Sequence, residues 1–569
     1  LHKQKQYTHT IIDNDFKTIS FSATTGYGTK SENSPVIYVS IDPAPVMNQT
    51  FSVDYNVDLN QSTAVSGVDY NLGNGTLTFD SNNKVRQIPI SILDDGTDGS
   101  DKTVIINLSK PTNGATIGKI KTFTYTIYGS DKILYVDDLN GSSSGKGYSW
   151  TTAYKNLQDA LMEAKNSNGR IIEIHVAKGV YYPTNDPYQP NARLIAFELV
   201  DNVKLLGGYP SGGGTRSHFD ETILSGDIDK NGDFDGNSLH VVQGANTIID
   251  GFSIRNGNAN GGCGYPGSGA GLLCINKSLT VNNCDFFNNS ARSSGFAGGS
   301  GIEVTNAELI CNRTKFIGGY GRSALMSTNS EITINDCEFT SNEVAGIFAY
   351  YGNIYVERST FQNAKVSAIS AEHCDNVNIN RSTFLQNSGF NGGAIQYIFG
   401  TGNLKIVNSV FFDNSAEYGG AVYIGPAFDQ GNVSEILHCT FSNNHAKVAG
   451  GAVYNASNLD FQESNITNSI FWFNETETNI NPDIFDDYDA LAVKYCDVQN
   501  IDFGGPSNNN MSCIPFPDPK IYGISVIKLS SSSCCINKGD PNIDLREDRA
   551  GTPRPGKSDN DCGAYEYEP

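Results

Sequence analysis

The sequence is poor in positive charge and has no long hydrophobic run. It contains 39 Lys and Arg residues against 61 Asp and Glu residues, for a formal net charge of −22 at pH 7. Proteins that bind nucleic acid present a basic surface to the phosphates, and this composition offers none. No stretch reaches the ~18 consecutive apolar residues of a membrane-spanning helix. The composition therefore argues against a nucleic-acid-binding protein and against a transmembrane segment.

Charged residues of both signs are scarce as well. They make up 18% of the chain, below the ~25% of ordinary domains, and the chain has 59 glycines. Uncharged Asn, Ser, Thr and Gly take their place, a mixture that favours turns and stacked strands over amphipathic helices. Since one compact core rarely grows beyond ~300 residues, the 569 residues indicate more than one unit. We expect a large, acidic, all-β protein.

Cysteine is absent from the first 262 residues, because all twelve cysteines lie at or after Cys263. This distribution indicates two units of different origin. No Cys-x-x-Cys pair occurs and histidines are few, so the sequence gives little support for a zinc site. One disulfide among the four C-terminal cysteines is expected if the protein is exported. These four are Cys513, Cys534, Cys535 and Cys562.

The N-terminal part contains a repeated strand pattern. Residues 7–15 and residues 123–131 align without gaps, and both alternate Thr with aromatic or aliphatic residues as a β-strand does. Five further alternating runs lie between them, separated by turns. We predict an immunoglobulin-like β-sandwich over residues 16–131, and we interpret residues 1–15 as the last strand of a preceding copy. The chain is then expected to be part of a longer multidomain protein.

Four phrases in this segment resemble the Calx-β domain. They are Gly-Val-Asp-Tyr at 67–70, Gly-Thr-Leu-Thr-Phe at 75–79, Ile-Pro-Ile-Ser-Ile-Leu-Asp-Asp at 88–95 and Asn-Leu-Ser at 107–109. The resemblance implies acidic loops at one end that can bind Ca²⁺, whose preferred ligands are carboxylate oxygens. The matching positions are Glu32, Asp69, Asp94, Asp95 and Asp131. The alternative is that these are solvated turn carboxylates.

Phenylalanine recurs with a regular spacing in the second half. Eight phenylalanines follow one another at intervals of 22–30 residues, and six of them are followed three residues later by Asn. They are Phe286, Phe316, Phe339, Phe361, Phe384, Phe411, Phe441 and Phe471. A period of this length without intervening helices predicts a parallel β-helix, with the phenylalanines stacked in its core. We place it at residues 132–500.

The two ends of the β-helix need covers, because exposed strand edges aggregate. Residues 149–165 have helical periodicity and are predicted to form an N-terminal capping helix. Residues 501–569 are predicted to form the C-terminal cap. Cys284, Cys337 and Cys439 precede the repeated Phe by two residues, where other coils have Ser or Thr, and we interpret them as buried thiols.

The repeats resemble right-handed parallel β-helix proteins of bacterial surfaces, including pectate-lyase-like and polymorphic membrane protein repeats. They are more similar to exported choice-of-anchor proteins of Bacteroidetes-type bacteria, on the phrases at residues 135–138, 224–229, 249–254, 535–540 and 562–566. The resemblance implies a right-handed β-helix and a secreted, cell-surface location. It leaves activity open, because such helices include lyases, hydrolases, adhesins and stalks.

Residues 227–235 form the most specific local motif. Oxygen-bearing side chains alternate along Asp-Ile-Asp-Lys-Asn-Gly-Asp-Phe-Asp with Gly at the sixth position, as in the first half of an EF-hand loop. The twelfth position is Ser238 in place of Glu. We predict a structural calcium site held by Asp227, Asp229, Asn231, Asp233 and Asp235. An Asx-rich turn without metal is the alternative.

Outward-facing positions beside the core of the β-helix carry aromatic and polar residues. Such groups suit sugar rings, which stack on aromatics and form hydrogen bonds to amides and carboxylates. The predicted ligand-binding residues are Glu303, Phe348, Tyr350, Gln396, Tyr423 and Tyr454. A plain solvated surface is the alternative.

The same coils also carry candidate catalytic residues. Glu372, His373, Arg381 and Tyr397 offer the acid, base and cation that a polysaccharide lyase needs. Glu303 and Glu372 are three coils apart, about 14 Å, which exceeds the spacing of a hydrolase pair. Our leading hypothesis is a secreted, adhesin-like protein whose partner is a polysaccharide or surface glycan. The alternatives are a polysaccharide lyase or glycoside hydrolase, and a structural spacer.

Overall fold

The computed structural model describes most of the chain. The described residues are 17–30, 35–45, 48–93, 101–128, 132–167, 171–183, 191–217, 219–261, 267–292, 298–426, 433–457, 464–478, 482–488, 490–499, 508–516, 527–543, 545–554 and 560–567. The chain divides into two compact units, Leu1–Lys132 and Ile133–Pro569. Within the described ranges, no helix is both long enough and apolar enough to cross a membrane.

The first unit contains two main β-sheets and a short strand pair. In spatial order, the four-stranded sheet consists of Thr116–Ile117, Thr18–Phe21, Tyr38–Asp42 and Val85–Gln87. The five-stranded sheet consists of Thr25–Thr29, Thr122–Tyr128, Lys102–Ser109, Phe51–Val57 and Gly75–Phe79, and Tyr70–Asn71 pairs with Ser91–Ile92. Alternate residues of the longer strands are buried in one core, which confirms the predicted sandwich.

One of the five alternating runs predicted to be strands, residues 88–92, is only partly a strand, over Ser91–Ile92. Val85–Gln87 joins the four-stranded sheet and Ser91–Ile92 pairs elsewhere, so the chain changes partner in between. Pro89 lies at this break, and its missing N–H cannot contribute to a ladder. Residues 1–15, which we interpret as a strand of a preceding copy, lie outside the described residues.

The second unit is a parallel β-helix built mainly from two sheets. The 22-stranded sheet, which we call the long sheet, contains two strands from most coils. Its strands are Lys132–Val136, Ile171–Ala177, Phe197–Glu198, Lys204–Tyr209, Val242–Gln243, Thr247–Asp250, Leu272–Ile275, Ser278–Asn282, Gly299–Thr305, Glu308–Asn312, Ser323–Asn335, Ala345–Glu357, Ile369–Glu372, Asn376–Asn380, Ile395–Ile398, Asn403–Val407, Val422–Ile424, Ser434–Leu437, Val453–Asn455, Ser464–Thr467, Ile484–Asp486 and Leu491–Lys494.

The second sheet of this unit has twelve strands and carries the repeated phenylalanines, so we call it the phenylalanine sheet. Its strands are Gly179–Tyr181, Thr222–Ser225, Ser253–Arg255, Asp285–Phe287, Lys315–Ile317, Glu338–Thr340, Thr360–Gln362, Thr383–Leu385, Val410–Phe412, Thr440–Ser442, Ile470–Trp472 and Asp497–Val498. A short three-stranded sheet adds Ser415–Tyr418, His445–Ala449 and Glu475–Thr476.

The predicted phenylalanine stack is confirmed. All eight rings pair in register between successive coils. Neighbouring ring centroids lie between 4.5 and 5.1 Å apart, and no interplanar angle exceeds 7°. The Asn three residues later forms a parallel ladder, in which Asn387 Nδ2 donates to Asn414 Oδ1 at 3.0 Å. The eight coils are therefore joined by stacked rings, and those from Asn387 to Asn474 also by amide hydrogen bonds.

The three cysteines of the shared slot are buried, as predicted. Burial raises the pKa of the Cys284, Cys337 and Cys439 thiols to about 12. Each thiol donates to the carbonyl two residues earlier, for Cys284 at 3.1 Å to Asn282. Ser382 makes the same contact through its hydroxyl at 2.9 Å. The slot therefore selects a small side chain with one donor, which explains why Cys, Ser and Thr alternate there.

The capping helix is shorter than the predicted residues 149–165. A 3-10 turn covers Trp150–Thr152, and the α-helix spans Leu157–Asn166. The chain is extended between them, where Tyr154 bridges to Val136 and Ser142. Leu157, Ala160, Leu161 and Ala164 are buried and join the β-helix core. Further 3-10 turns cover Ala192–Leu194 and Phe219–Glu221.

The C-terminal segment lies along the side of the β-helix as well as against its last coil. Met511 pairs with Asp497 in the last coil. Farther on, Ala564 N donates to Thr440 Oγ1 and Arg549 donates to Thr383 Oγ1, both on the phenylalanine sheet. A disulfide joins Cys513 and Cys534, whereas Cys535 and Cys562 are buried free thiols. The segment therefore covers several coils and does more than close the end.

Candidate functional site

Five of the six positions predicted to bind a ligand lie in one straight column on the long sheet, which we call the outer column. Successive coils place its residues directly beside one another. The column consists of Leu273, Glu303, Met326, Phe348, Ser370, Gln396, Tyr423, Tyr454 and Phe485. A second column two residues later contains Tyr350 and Glu372 as direct neighbours.

The middle of the outer column is covered. Phe348 is only 5% exposed, because the Arg322 guanidinium lies 3.5 Å from its ring centroid. Glu303 is 6% exposed and accepts a hydrogen bond from Gly299 N at 3.2 Å. Burial raises the pKa of the Glu303 carboxyl, although its hydrogen bonds lower it in part. Glu303 and Phe348 are therefore buried within the outer column and are not available to a ligand at the surface.

The C-terminal end of the outer column is an aromatic stack. Tyr423 and Tyr454 stack with centroids 5.5 Å apart, and Tyr454 stacks on Phe485 at 5.0 Å. The Tyr454 hydroxyl donates to Asp487 at 2.7 Å. Burial and the Asp487 carboxylate raise the pKa of the Tyr454 hydroxyl. Gln396, in the coil before Tyr423, is half-buried.

A third column, at the corner that follows the second column, carries three aromatic rings. Every residue of this corner column has a positive φ, between 49° and 61°. The column consists of Asn276, Asn306, Asn329, Tyr351, His373 and Phe399. His373 lies between the other two rings, with centroids 5.1 Å from Tyr351 and 5.3 Å from Phe399. Tyr351 is 43% exposed.

The corner column continues into a polar groove of about 380 Å³ on its N-terminal side. Amide, ammonium and carboxylate groups line this groove, among them Asn276, Lys277, Asn306, Glu308, Asn329 and Glu331. On the aromatic side, Tyr350 packs edge-on against Tyr351 and His373. Glu372 lies 3.9 Å from the Arg322 guanidinium. Rings, amides and charged groups therefore follow one another along this corner.

The structure does not bring the four predicted catalytic residues together. Glu372 and His373 lie on the face described above. Tyr397 is 3% exposed, belongs to the core, and its hydroxyl donates to Gly402 O at 2.8 Å. Arg381 forms an ion pair with Glu547 of the C-terminal segment. We therefore leave Tyr397 and Arg381 out of the candidate site, which gains Arg322, Tyr351 and Phe399.

The loop at residues 227–235 has the local hydrogen bonds of a tight Asx-rich turn. The Asp227 carboxylate accepts from Asn231 N at 3.1 Å and from Gly232 N at 3.3 Å. Asp235 N donates to Asp233 Oδ1 at 2.8 Å, and Asn231 Nδ2 donates to Asp229 Oδ2 at 3.0 Å. All five predicted ligands therefore lie on one short turn, and the oxygen-only donor set fits calcium.

An acidic side chain and two cysteines converge beside the last coil. Across the described part of the chain, Asp497, Cys534 and Cys535 are the group of three whose ligand atoms all lie within 4.8 Å of one another. Burial raises the pKa of the Asp497 carboxyl to about 7. The Cys535 thiol donates to Asp497 Oδ2 at 3.1 Å, and Cys513 N donates to Oδ1 at 3.0 Å. These contacts bind the C-terminal segment to the last coil.

Of the five calcium ligands predicted in the first unit, the structure describes Asp69 alone. Its carboxylate accepts hydrogen bonds from Val65 N at 2.8 Å and from Lys102 Nζ at 2.6 Å. The other four predicted ligands, Glu32, Asp94, Asp95 and Asp131, lie outside the described residues.

Comparisons with known proteins agree with this architecture. The Calx-beta domain model matches residues 13–131, and the model of the right handed beta helix region matches residues 270–430. No curated protein matches the chain.

Among solved structures, the chain is similar to the apo-form Calx CBD1 domain, at 20% identity and a TM-score of 0.19, over 20% of this chain and 96% of that one. It is similar to pectate lyase Pel9A at 14% identity and a TM-score of 0.33, over 77% and 97% of the two chains. It is also similar to the catalytic unit of the thermostable GH87 alpha-1,3-glucanase from Streptomyces thermodiastaticus strain HF3-3, at 13% identity and a TM-score of 0.31, over 84% and 96%. With the family matches and the two units described above, the chain consists of a Calx-beta domain followed by a right-handed parallel β-helix.

Proposed function

We propose that the β-helix binds a polysaccharide or surface glycan along the corner column and the adjoining second column. In this proposal the protein is secreted and acts at a cell surface in an adhesin-like role. The observation that carries the proposal is the replacement of Asn by Tyr351, His373 and Phe399 in three successive coils of one corner.

The energetics of this corner favour a binding role. A left-handed backbone costs an L-residue about 1–2 kcal/mol, and Asn and Asp reach it most readily because their short side chains bond locally. Asn276, Asn306 and Asn329 follow this rule. Tyr351, His373 and Phe399 adopt the same left-handed backbone without a short polar side chain. Backbone strain of this kind clusters at functional sites. The mutual stacking of the three rings offsets part of the cost.

The chemistry beside the rings suits sugars. Rings offer apolar surface to the C–H faces of a hexose, and amides and carboxylates bond its hydroxyls. Glu372, Arg322 and the amides of the polar groove supply these groups. Because the chain has a net charge of −22, long-range repulsion disfavours polyanionic glycans. A neutral glycan is therefore the expected ligand.

Substitution of Tyr351 by Asn is expected to weaken glycan binding by up to about tenfold without lowering the melting temperature. One stacked ring contributes up to about 1.5 kcal/mol, and 1.4 kcal/mol corresponds to a factor of ten. Asn restores the residue type of the three preceding coils, so stability should be equal or higher. A glycan array selects the ligand, calorimetry gives the affinity, and a thermal scan gives stability. His373→Asn and Phe399→Asn should behave alike.

Phe390→Asn is the matched control, because Phe390 is 67% exposed on the same unit but is not part of the corner column. It should leave binding unchanged. Equal binding by native protein and by the Tyr351, His373 and Phe399 variants would refute this site. Release of reducing ends or of unsaturated uronates, lost in Glu372→Gln, would replace the adhesin-like role by a hydrolase or lyase. Absence of any bound glycan would favour the structural spacer.

We also propose that the loop at residues 227–235 binds calcium as a structural ion. A chelator should then lower the melting temperature of the native chain, since a ligand present at 100 times its Kd stabilises the fold by about 2.7 kcal/mol. Asp227→Asn removes the charge and keeps one acceptor oxygen, which can still serve Asn231 N, so this variant should respond far less to the chelator. A native melting temperature that the chelator does not change would leave only the Asx-rich turn.

A further inference from the structure

The Asp69 carboxyl of the first unit is completely buried. Removing one partner of a buried charge pair destabilises a protein strongly, because the remaining charge is left without compensation. Here Oδ2 accepts from Val65 N at 2.8 Å, and Oδ1 lies 2.6 Å from Lys102 Nζ. One carboxylate oxygen therefore accepts from a backbone N–H, and the other contacts the positively charged ammonium of Lys102.

The backbone holds this pair in place. Lys102 begins the strand Lys102–Ser109 and pairs with Ile127 of the neighbouring strand. The loop that leads to Asp69 is tied to the same strand, since Thr63 N and Ala64 N both donate to Thr103 O at 3.0 Å. The Lys102 side chain is 29% exposed, so it is more enclosed than a freely solvated surface lysine. Two independent attachments therefore bring the ammonium to the carboxylate.

Asp69 is also a position at which the resemblance to Calx-β domains places a calcium ligand. Calcium requires six to eight oxygen ligands, and an ammonium has no lone pair to contribute. A lysine nitrogen 2.6 Å from the carboxylate oxygen both fills the space of a cation and repels one. We infer that Lys102 supplies at Asp69 the positive charge that a divalent cation would otherwise supply, so that this end of the sandwich is stable without calcium. The inference does not depend on glycan binding.

Hydrogen exchange of the full chain tests this inference locally. Amide exchange is followed by mass spectrometry on peptides covering residues 63–70 and 101–109, in calcium and in chelator. Native protein is expected to exchange equally in both. Lys102→Met keeps the aliphatic stem and removes the charge, so its peptides should exchange at least about tenfold faster in chelator and slow again in calcium. The local readout separates this effect from calcium at residues 227–235.

Two further variants complete the test. Lys110→Met, whose lysine side chain is 83% exposed, should behave as native protein does. Asp69→Asn combined with Lys102→Met leaves no buried charge and should stay protected without a calcium response, which keeps the inference testable if Lys102→Met alone fails to fold. Calcium-dependent protection in native protein, unchanged exchange in Lys102→Met, or a loosened Lys102→Met that calcium does not restore would each overturn the inference.

Discussion

Replacing Phe361 by Ala is expected to lower the free energy of unfolding of the β-helix by about 3–5 kcal/mol. The Phe361 side chain is fully buried, and its ring stacks on Phe339 at 4.6 Å and on Phe384 at 5.0 Å. Truncation removes both stacked contacts and leaves a cavity that regular coils cannot collapse to fill, because each strand is held in register on two sides.

The measurement is chemical denaturation, with Phe287→Ala as the control. Phe287 directly follows the stacked Phe286 on the phenylalanine sheet but is 44% exposed and contacts Arg255. Its truncation should cost less than about 1 kcal/mol. In a solenoid each coil contacts only its neighbours, so loss of the central ring should also broaden the transition as the two halves uncouple. A cost below about 1 kcal/mol for Phe361→Ala would show that the stack is not the main support of the core.

The fold could be predicted to a large extent because its core repeats. Each repeated phenylalanine occupies the same position of its coil, so spacing alone places it in a stack and the next Asn in a ladder. Helical periodicity predicts that the capping helix begins at residue 149, whereas it begins at Leu157. The periodicity does not show that Tyr154 forms a β-bridge to Val136. Long-range pairings of this kind leave no local pattern.

The candidate site could be predicted only in part. Register places Glu303, Gln396 and Tyr423 in one column, as the repeat indicates. Tyr397 was assigned to the face, although its neighbours in register are Ala371 and Ile424 of the core. The sequence also carries a signal for the corner column. Tyr351, His373 and Phe399 each follow an outer-column residue by three positions, where earlier coils have Asn.

The spacing of residues in the sequence does not predict the contacts of the C-terminal segment. A substitution in this segment is expected to have the second large effect on stability. Arg554→Met should destabilise the protein by about 3–5 kcal/mol at pH 8, because it leaves the Glu566 carboxylate buried without its partner. The Arg554 and Glu566 side chains are 0% and 5% exposed and form a direct ion pair. Arg554 also donates to Asn408 Oδ1 at 3.0 Å, which joins the segment to the β-helix, and to Gly563 O of the segment itself at 2.9 Å.

The pH dependence separates buried charge from lost packing. Burial raises the pKa of Glu566 to about 7, although Arg554 opposes the shift. A carboxyl whose folded pKa is raised stabilises the fold below its unfolded pKa and loses that contribution as pH rises through the folded value. Without Arg554 the pKa of Glu566 should rise further, so the charge penalty of Arg554→Met should shrink as pH falls toward 7 and be smallest below 7, where the folded carboxyl is protonated in both proteins.

Denaturation of native protein and of three variants at pH 5 and pH 8 gives the result. Arg554→Met and Glu566→Gln should each be destabilised at pH 8. The double variant should lose less than the sum of the two single losses, because neither charge then remains alone. Equal penalties for Arg554→Met at both pH values would assign its effect to the lost contacts with Asn408 and Gly563. A dependence on pH would instead show that charge compensation at this pair holds the C-terminal segment on the phenylalanine sheet.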